Sequence, residues 1–330
     1  MCTVLSLAKQ RGYVSFSIAE SIDGRGVVIF LKEYDEDIQA IIDSGYREYG
    51  AFLRVGAKEA ALTEQVCTAA VQPEARLPTP PEWLSQMKIG GKATDGQRWS
   101  EAEAAFKAAL AEAERGFEPQ DLRLAGTLYF LAFVYHKQAR LAEAEPLYRR
   151  ALAIYEQRPG ANQRGYGQTL NDLGVLYRQQ GQHEQAEALL RRSLAVREVA
   201  LGPQDLDVGQ SLHSLMDLYN QRQRWPEAEP FARRALAIYE WAKGPDDKQV
   251  GSFLHVLGHI LDAQGREADA EPFLRRGLAI AEKVFGPDHM EVAHQLEDYA
   301  AVLRKLGRQS EAEELDARAR AIRGTAPRSR

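Results

Sequence analysis

Cysteine is scarce: Cys2 and Cys67 are the only two in 330 residues. A disulfide framework is therefore excluded, and the chain reads as one from a reducing compartment. No run of 18 apolar residues occurs, so no segment reads as membrane-spanning. The opening, MCTVLSLAKQRGYVSF, has no basic residue ahead of its short apolar stretch, and no small-residue cleavage pattern follows. A cytoplasmic location is the expectation. An excess of base is also missing: Lys and Arg number 42 against 47 Asp and Glu, for a formal net charge of −5. The two signs are interspersed, which argues against a general nucleic-acid binder, and neither nucleic acid nor membrane is expected as a partner. A glycine-rich phosphate loop, HExxH, CxxC and a Ser-His-Asp arrangement are all absent, so no cofactor, metal or catalytic residue is expected.

What the chain does have is self-similarity. Ala102, Ala144, Ala186, Ala228, Ala270 and Ala312 recur every 42 residues. The text around them repeats too: EAEPLYRRALAIYE from Glu143, QAEALLRRSLAVRE from Gln185, EAEPFARRALAIYE from Glu227 and DAEPFLRRGLAIAE from Asp269. A period of this size marks a solenoid, whose units bury their apolar faces only by stacking on their neighbours. Within one unit, Leu170, Leu173, Leu176 and Tyr177 form a helical stripe, and Gly181 breaks it. A second stripe runs through Ala186, Leu189, Leu190, Ser193, Leu194 and Val196, and Gly202-Pro203 ends it. Each unit is thus read as two antiparallel helices. Small residues fall at fixed places: Ala132, Gly174, Gly258 and Ala300 in first helices, with Met216 the exception, and Ala151, Ser193, Ala235, Gly277 and Ala319 in second helices. Small side chains there let helices approach closely.

Leu170, Leu173, Gly174, Tyr177, Ala186, Leu190 and Ser193 resemble the signature positions of the tetratricopeptide repeat. The longer period, the Gly-Pro-Asp between units and the phrase AEPLYRRALAI resemble the long repeats of kinesin light chains and related bacterial proteins. The resemblance implies an all-α fold: a right-handed α-solenoid of stacked antiparallel helix pairs, about six repeats over residues 78–324. It implies no enzyme but a scaffold or adaptor that binds a peptide or protein segment in a concave groove lined by first helices.

The ends are less regular. The segment PEWLSQMKIGGKATDG reads as a short, irregular first helix, one residue out of register. The last helix keeps one apolar stripe, as a cap requires, and residues 325–330 read as a flexible tail. Residues 1–77 do not repeat. GYVSFSIAES and RGVVIFL read as strands, Asp35 to Tyr49 and Ala51 to Val71 as helices, together a small α+β segment.

The kinesin-light-chain likeness implies that an asparagine after the first signature leucine faces bound peptide. Asn171 holds that place, with Tyr129, His213, His255 and Glu297 at the equivalent ones. Phe133, His136, Arg178, Asp217, Asn220, His259, Asp262 and Arg304 share the face and complete the expected groove. This face lacks the i,i+4 charge pairs seen on second helices, which favours a binding role. Arg149, Arg191, Arg233 and Arg275 each follow a glutamate by four residues, and read as a solvated face or a ladder for an acidic partner. His255, His259 and Asp262, with His213 one period earlier, have a spacing that can hold a metal, set against a plain role in the groove. Two alternatives stand beside the scaffold: a regulatory module that self-associates through residues 1–77, hence a homo-oligomer, and the remnant of a hydrolase using Cys2 as an N-terminal nucleophile.

Overall fold

The computed structural model describes residues 16–20, 26–30, 52–55 and 81–325. The chain divides into two compact units, Met1–Thr79 and Pro80–Arg330. In the first, β1 (Phe16–Glu20), β2 (Gly26–Phe30) and β3 (Phe52–Val55) form an antiparallel sheet in the order β2-β1-β3. β1 pairs Phe16 with Phe30 on one side and with Val55 on the other. The two strands read from sequence are present. The strand at Phe52–Val55 corrects the start of the helix read over Ala51–Val71. Aromatic and β-branched residues there favour extended backbone once a pairing edge is available. The helix read over Asp35–Tyr49 lies outside the described residues, as do Cys2 and the tail from residue 326.

The second unit is an α-solenoid of six helix pairs among the described residues. They are α1 (Pro81–Asp95) and α2 (Trp99–Gly116), α3 (Leu122–Lys137) and α4 (Leu141–Glu156), α5 (Gln163–Gln179) and α6 (His183–Leu201), α7 (Leu206–Gln221) and α8 (Trp225–Lys243), α9 (Lys248–Ala263) and α10 (Glu267–Phe285), α11 (Met290–Lys305) and α12 (Gln309–Thr325). Each second helix packs on its own first helix and on the first helix of the next unit. One continuous apolar core runs through all of them, and the six repeating alanines are fully buried in it.

Local chemistry sets the helix ends. The side chains of Asp121, Asp205 and Asp247 each accept the backbone N–H two residues on at 2.8 Å, opening α3, α7 and α9. Second helices open differently: in all but α6, which opens on Gln182, an arginine at the cap position grips an acid in the first turn. Arg98 pairs with Glu101 at 2.7 Å, Arg140 with Glu143 at 2.5 Å and Arg224 with Glu227 at 2.8 Å. The acid also faces the positive end of the helix dipole. Gly202, Gly244 and Gly286 close α6, α8 and α10 at φ of +87°, +93° and +92°, a conformation costly for other residues.

The first helix departs from expectation. α1 is a continuous helix of 15 residues rather than a short irregular one. Gly90 sits on the same repeat position as Ala132 and Gly174, so this unit is in register. A Cβ at Gly90 would lie 2.5 Å from the Phe106 ring. Close packing therefore decides the residue, against glycine's helix penalty of about 1 kcal/mol. The last helix is a polar cap, where Asp316 takes the position of Leu274 and pairs with Arg304.

Ion pairs tie the units together on the outer side. Arg150 reaches Glu114 at 2.5 Å, Arg192 reaches Glu156 at 2.9 Å and Arg276 reaches Glu240 at 2.5 Å, with Arg234–Glu198 and Arg318–Glu282 in the same register. A second ladder joins Arg140 to Glu103 at 2.7 Å, Arg266 to Glu229 at 2.7 Å and Arg308 to Glu271 at 2.5 Å. The arginine ladder read as a solvated face pairs within its own helices, Arg149 to Glu145 at 2.9 Å, Arg191 to Glu187 at 3.0 Å and Arg233 to Glu229 at 2.9 Å. Glu271 is taken by Arg308 from the next unit. The hydroxyls of Tyr177 and Tyr219 also donate to Glu145 and Glu187, at 3.1 and 2.5 Å.

These carboxylates make stability depend on pH. Lys107 beside Glu103 and Arg308 beside Glu271 hold those carboxyls below the usual glutamate range. At Glu187 and Glu229 burial pushes upward, but the surrounding donors prevail and the net shift is also down. A depressed folded-state pKa contributes stability above the unfolded value of about 4.3, lost as pH falls through the folded value. The melting temperature should hold from pH 7 to about 5 and fall below about 4.5. Molar salt should shrink the fall by screening the exposed pairs. A melting temperature unchanged down to about pH 3 would refute the ladder's role.

Candidate binding groove

First helices of successive units approach one another directly: α3 lies against α5, α5 against α7, and α9 against α11. They form the inner wall, while long arginine–glutamate pairs span the second helices outside.

The wall has its own register. Tyr129 donates its hydroxyl to Asp172 at 2.9 Å, and the His136 ring meets the Gln179 amide oxygen at 2.9 Å. Arg178 donates to Gln221 at 3.3 Å. His255 meets Asp298 at 2.8 Å, and Lys305 donates to Asp262 at 2.8 Å. All five join residues 43 apart, one repeat plus one residue. The inner face is thus cross-linked between units, so a shortage of i,i+4 charge pairs does not leave its polar groups free. Three side-chain pairs follow that spacing on first helices among the described residues: His213–Asp217 at 3.6 Å, Gln168–Asp172 at 3.0 Å and Gln295–Glu291 at 3.4 Å.

The expected groove residues divide by exposure. His213, His259 and Arg304 are exposed; Tyr129, Phe133, His136, Arg178, Asp217, Asn220, His255, Asp262 and Glu297 are half-buried. Asn171 is only 2% exposed, and its amide donates to Asp172 at 3.1 Å. It lies beneath the wall rather than on it, because the Tyr129–Asp172 contact closes over that position. Asn171 is thus covered in this structure rather than exposed on the wall. The amide oxygens of Asn171 and Asn220 and the Nε of Arg178 are buried without partners.

Aromatic rings crowd the N-terminal end. Tyr129 lies 5.2 Å from Phe130, 6.3 Å from Phe133 and 5.9 Å from Tyr148. The Lys137 ammonium sits 5.1 Å above the Phe133 ring. Phe130, 40% exposed, escaped the sequence reading because its neighbours on the same repeat position are polar or small. Further along, the His213 ring meets Phe253 edge-on at 5.1 Å, and His259 meets Trp225 at 5.6 Å.

Charge on the wall is balanced locally. His255 beside Asp298 holds that carboxyl below its usual range, and Arg323 does the same for Glu297 at 2.6 Å. Burial pushes the His136 imidazole down, favouring its neutral form. Burial, aided by Asp172, pushes the Tyr129 phenol up, so it stays a donor. The metal reading of His255, His259 and Asp262 finds no support: no group of three or more His, Cys, Asp or Glu fit to hold an ion occurs among the described residues. His255 is turned to Asp298 and Asp262 to Lys305. No described helix is long and apolar enough to cross a membrane.

A family model described as tetratricopeptide repeat matches residues 93–157, 165–240 and 245–324. No curated protein matches the chain in sequence. Among solved structures it is similar to BtubC (BKLC) from P. vanneervenii, at 19% identity and a TM-score of 0.56 over 76% of this chain and 94% of that one. It is similar to a putative kinesin light chain of Podosopora anserina, at 23% identity and a TM-score of 0.55 over 64% and 99%. PilW, a type IV pilus biogenesis factor, aligns at 16% identity and a TM-score of 0.57 over 75% and 96%. At these identities the likeness shows the fold alone.

Proposed function

We propose, for a chain that belongs to the tetratricopeptide repeat family, that its array is a scaffold without chemistry of its own, gripping a protein segment along the inner wall. The fold is one typical of protein-interaction modules, and the groove assignment is our reading. One observation carries it. On the inner wall the rings of Phe130, His213 and His259 lie together with polar groups at the surface, whereas on the second helices, where charges are neutralised pair by pair, Trp241 is exposed singly. Exposed rings beside polar groups suit a peptide, whose side chains bury against the rings while its backbone meets donors and acceptors.

The test is selection of dodecapeptides from a displayed random library on the full chain, followed by calorimetry. A variant combining Phe130→Ser, His213→Ala and His259→Ala should stay folded with a lowered melting temperature, because the imidazoles are exposed but Phe130 also stacks on Phe106 at 5.4 Å. Its affinity for the selected peptides should fall at least about tenfold, equivalent to about 1.4 kcal/mol. Peptides that bind this variant as tightly as wild type would place the binding surface elsewhere.

A further inference from the structure

Residues 113, 155, 197, 239, 281 and 323 share one repeat position and are Ala, Tyr, Arg, Tyr, Ala and Arg. Of the two arginines, Arg323 lies exposed in the capping helix and pairs with Glu297. Arg197, in α6, is 0% exposed. Its neighbourhood has been carved for it. A Cβ on Gly167 would lie 2.7 Å from the arginine Cγ, and Ser193 and Ser211 share a hydrogen bond of 2.9 Å beside it.

The partners of this buried cation are all neutral. Nη1 donates to the Asp207 carbonyl at 2.8 Å and to the Ser211 hydroxyl at 2.8 Å. Nη2 donates to the side-chain oxygens of Gln168 and, at 3.1 Å, of Gln210. No carboxylate among the described residues lies within ion-pairing distance. Asp172 is reached indirectly, through Gln168, whose amide donates to it at 3.0 Å.

The orientation of the two amides follows from chemistry. A guanidinium only donates, so each glutamine must turn its oxygen inward and its NH2 outward. Gln168 gives its outward NH2 to Asp172. The Gln210 NH2 meets no acceptor among the described residues. Gln210 is half-buried and lies one turn before His213 on the inner wall of α7. A hydrogen bond from a cation to the oxygen also polarises the amide and strengthens its N–H as a donor.

We infer that Arg197 is a positioning residue that makes Gln210 a fixed, charge-backed donor for an acceptor oxygen of the bound segment. That oxygen is a main-chain carbonyl or an acidic side chain. The inference rests on the groove reading above and names one contact within it.

The test uses the full chain and peptides selected on it from the displayed dodecapeptide library. Two variants separate position from packing. Arg197→Tyr installs the residue that Tyr239 already shows to fit against a glycine, its ring 2.9 Å from a Cβ on Gly209. Gln210→Glu keeps the shape but replaces the outward donor with an acceptor and pairs with Arg197. Both should melt no lower than wild type, and both should weaken binding about tenfold or more. A merely structural arginine would couple affinity to stability instead. Repeating the titration with Asp and Glu of the peptide changed to Asn and Gln distinguishes the sources. A loss that persists marks a carbonyl, and one that disappears marks a carboxylate. Peptides that lose affinity to the Phe130, His213 and His259 variant yet bind both new variants normally would overturn this inference alone. Peptides indifferent to all of them would overturn it together with the groove.

Discussion

Met216→Ala should cost the array about 3 kcal/mol, and adding Ala232→Leu should restore most of it. The reason lies in how the units share volume. At the closest approach of the two helices in a unit, Gly174 faces Leu190, Gly258 faces Leu274 and Gly90 faces Phe106. In these three units the small residue is on the first helix. In the fourth unit the sizes are exchanged: Met216 is on the first helix and Ala232 on the second, both fully buried. Removing the methionine side chain alone leaves a cavity, at a typical cost of about 2–5 kcal/mol. Enlarging Ala232 alone overpacks the same space, at about 1–3 kcal/mol. Together the changes recreate the arrangement of Ala132 and Tyr148, which are buried in the second unit. Urea melts of the four proteins, with hydrogen exchange over α7 and α8 to localise the effect, give the coupling. Additive losses in the double variant would refute the exchange of volume.

The sequence made the fold plain for the same reason that it made Met216 stand out. Packing demands recur every 42 residues, so each buried position is stated several times over in the chain. The register of α1 was lost because glycine at 90 and 91 argues against a helix locally, while the Phe106 ring that requires Gly90 lies in the next helix. The groove was legible only as a face. Neighbours three or four residues apart can be read along one helix, but contacts 43 residues apart depend on the offset between stacked hairpins. Hence the side chains of Asn171 and Asp262, expected to meet a partner, are engaged by Asp172 and Lys305. Arg197 lies beyond the apolar stripe of Ala186 to Val196, where an arginine near a helix end reads as solvated. Its burial follows from Gly167, Ser193 and Ser211, which lie on three different helices.

Gln168→Leu should destabilise the array by about 3 kcal/mol, although leucine is the better helix former and fits a similar volume. Gln168 is the link between two charges. It takes a hydrogen bond from Arg197 and gives one to Asp172 at 3.0 Å. Leucine would leave the buried guanidinium short of an acceptor and the carboxylate short of a donor at once. Each lost hydrogen bond to a charged group typically costs about 1.5–3 kcal/mol, whereas removing a buried charge altogether is often neutral. The second half of that rule supplies the control. Gln168→Leu combined with Arg197→Tyr should recover most of the loss, because no cation remains to be satisfied and Asp172 keeps Tyr129 and Asn171 as donors. Denaturant melts of the single and double variants decide the matter. A neutral Gln168→Leu would mean that water reaches Arg197 freely, and the arginine would then lack the burial that fixes Gln210 on the inner wall.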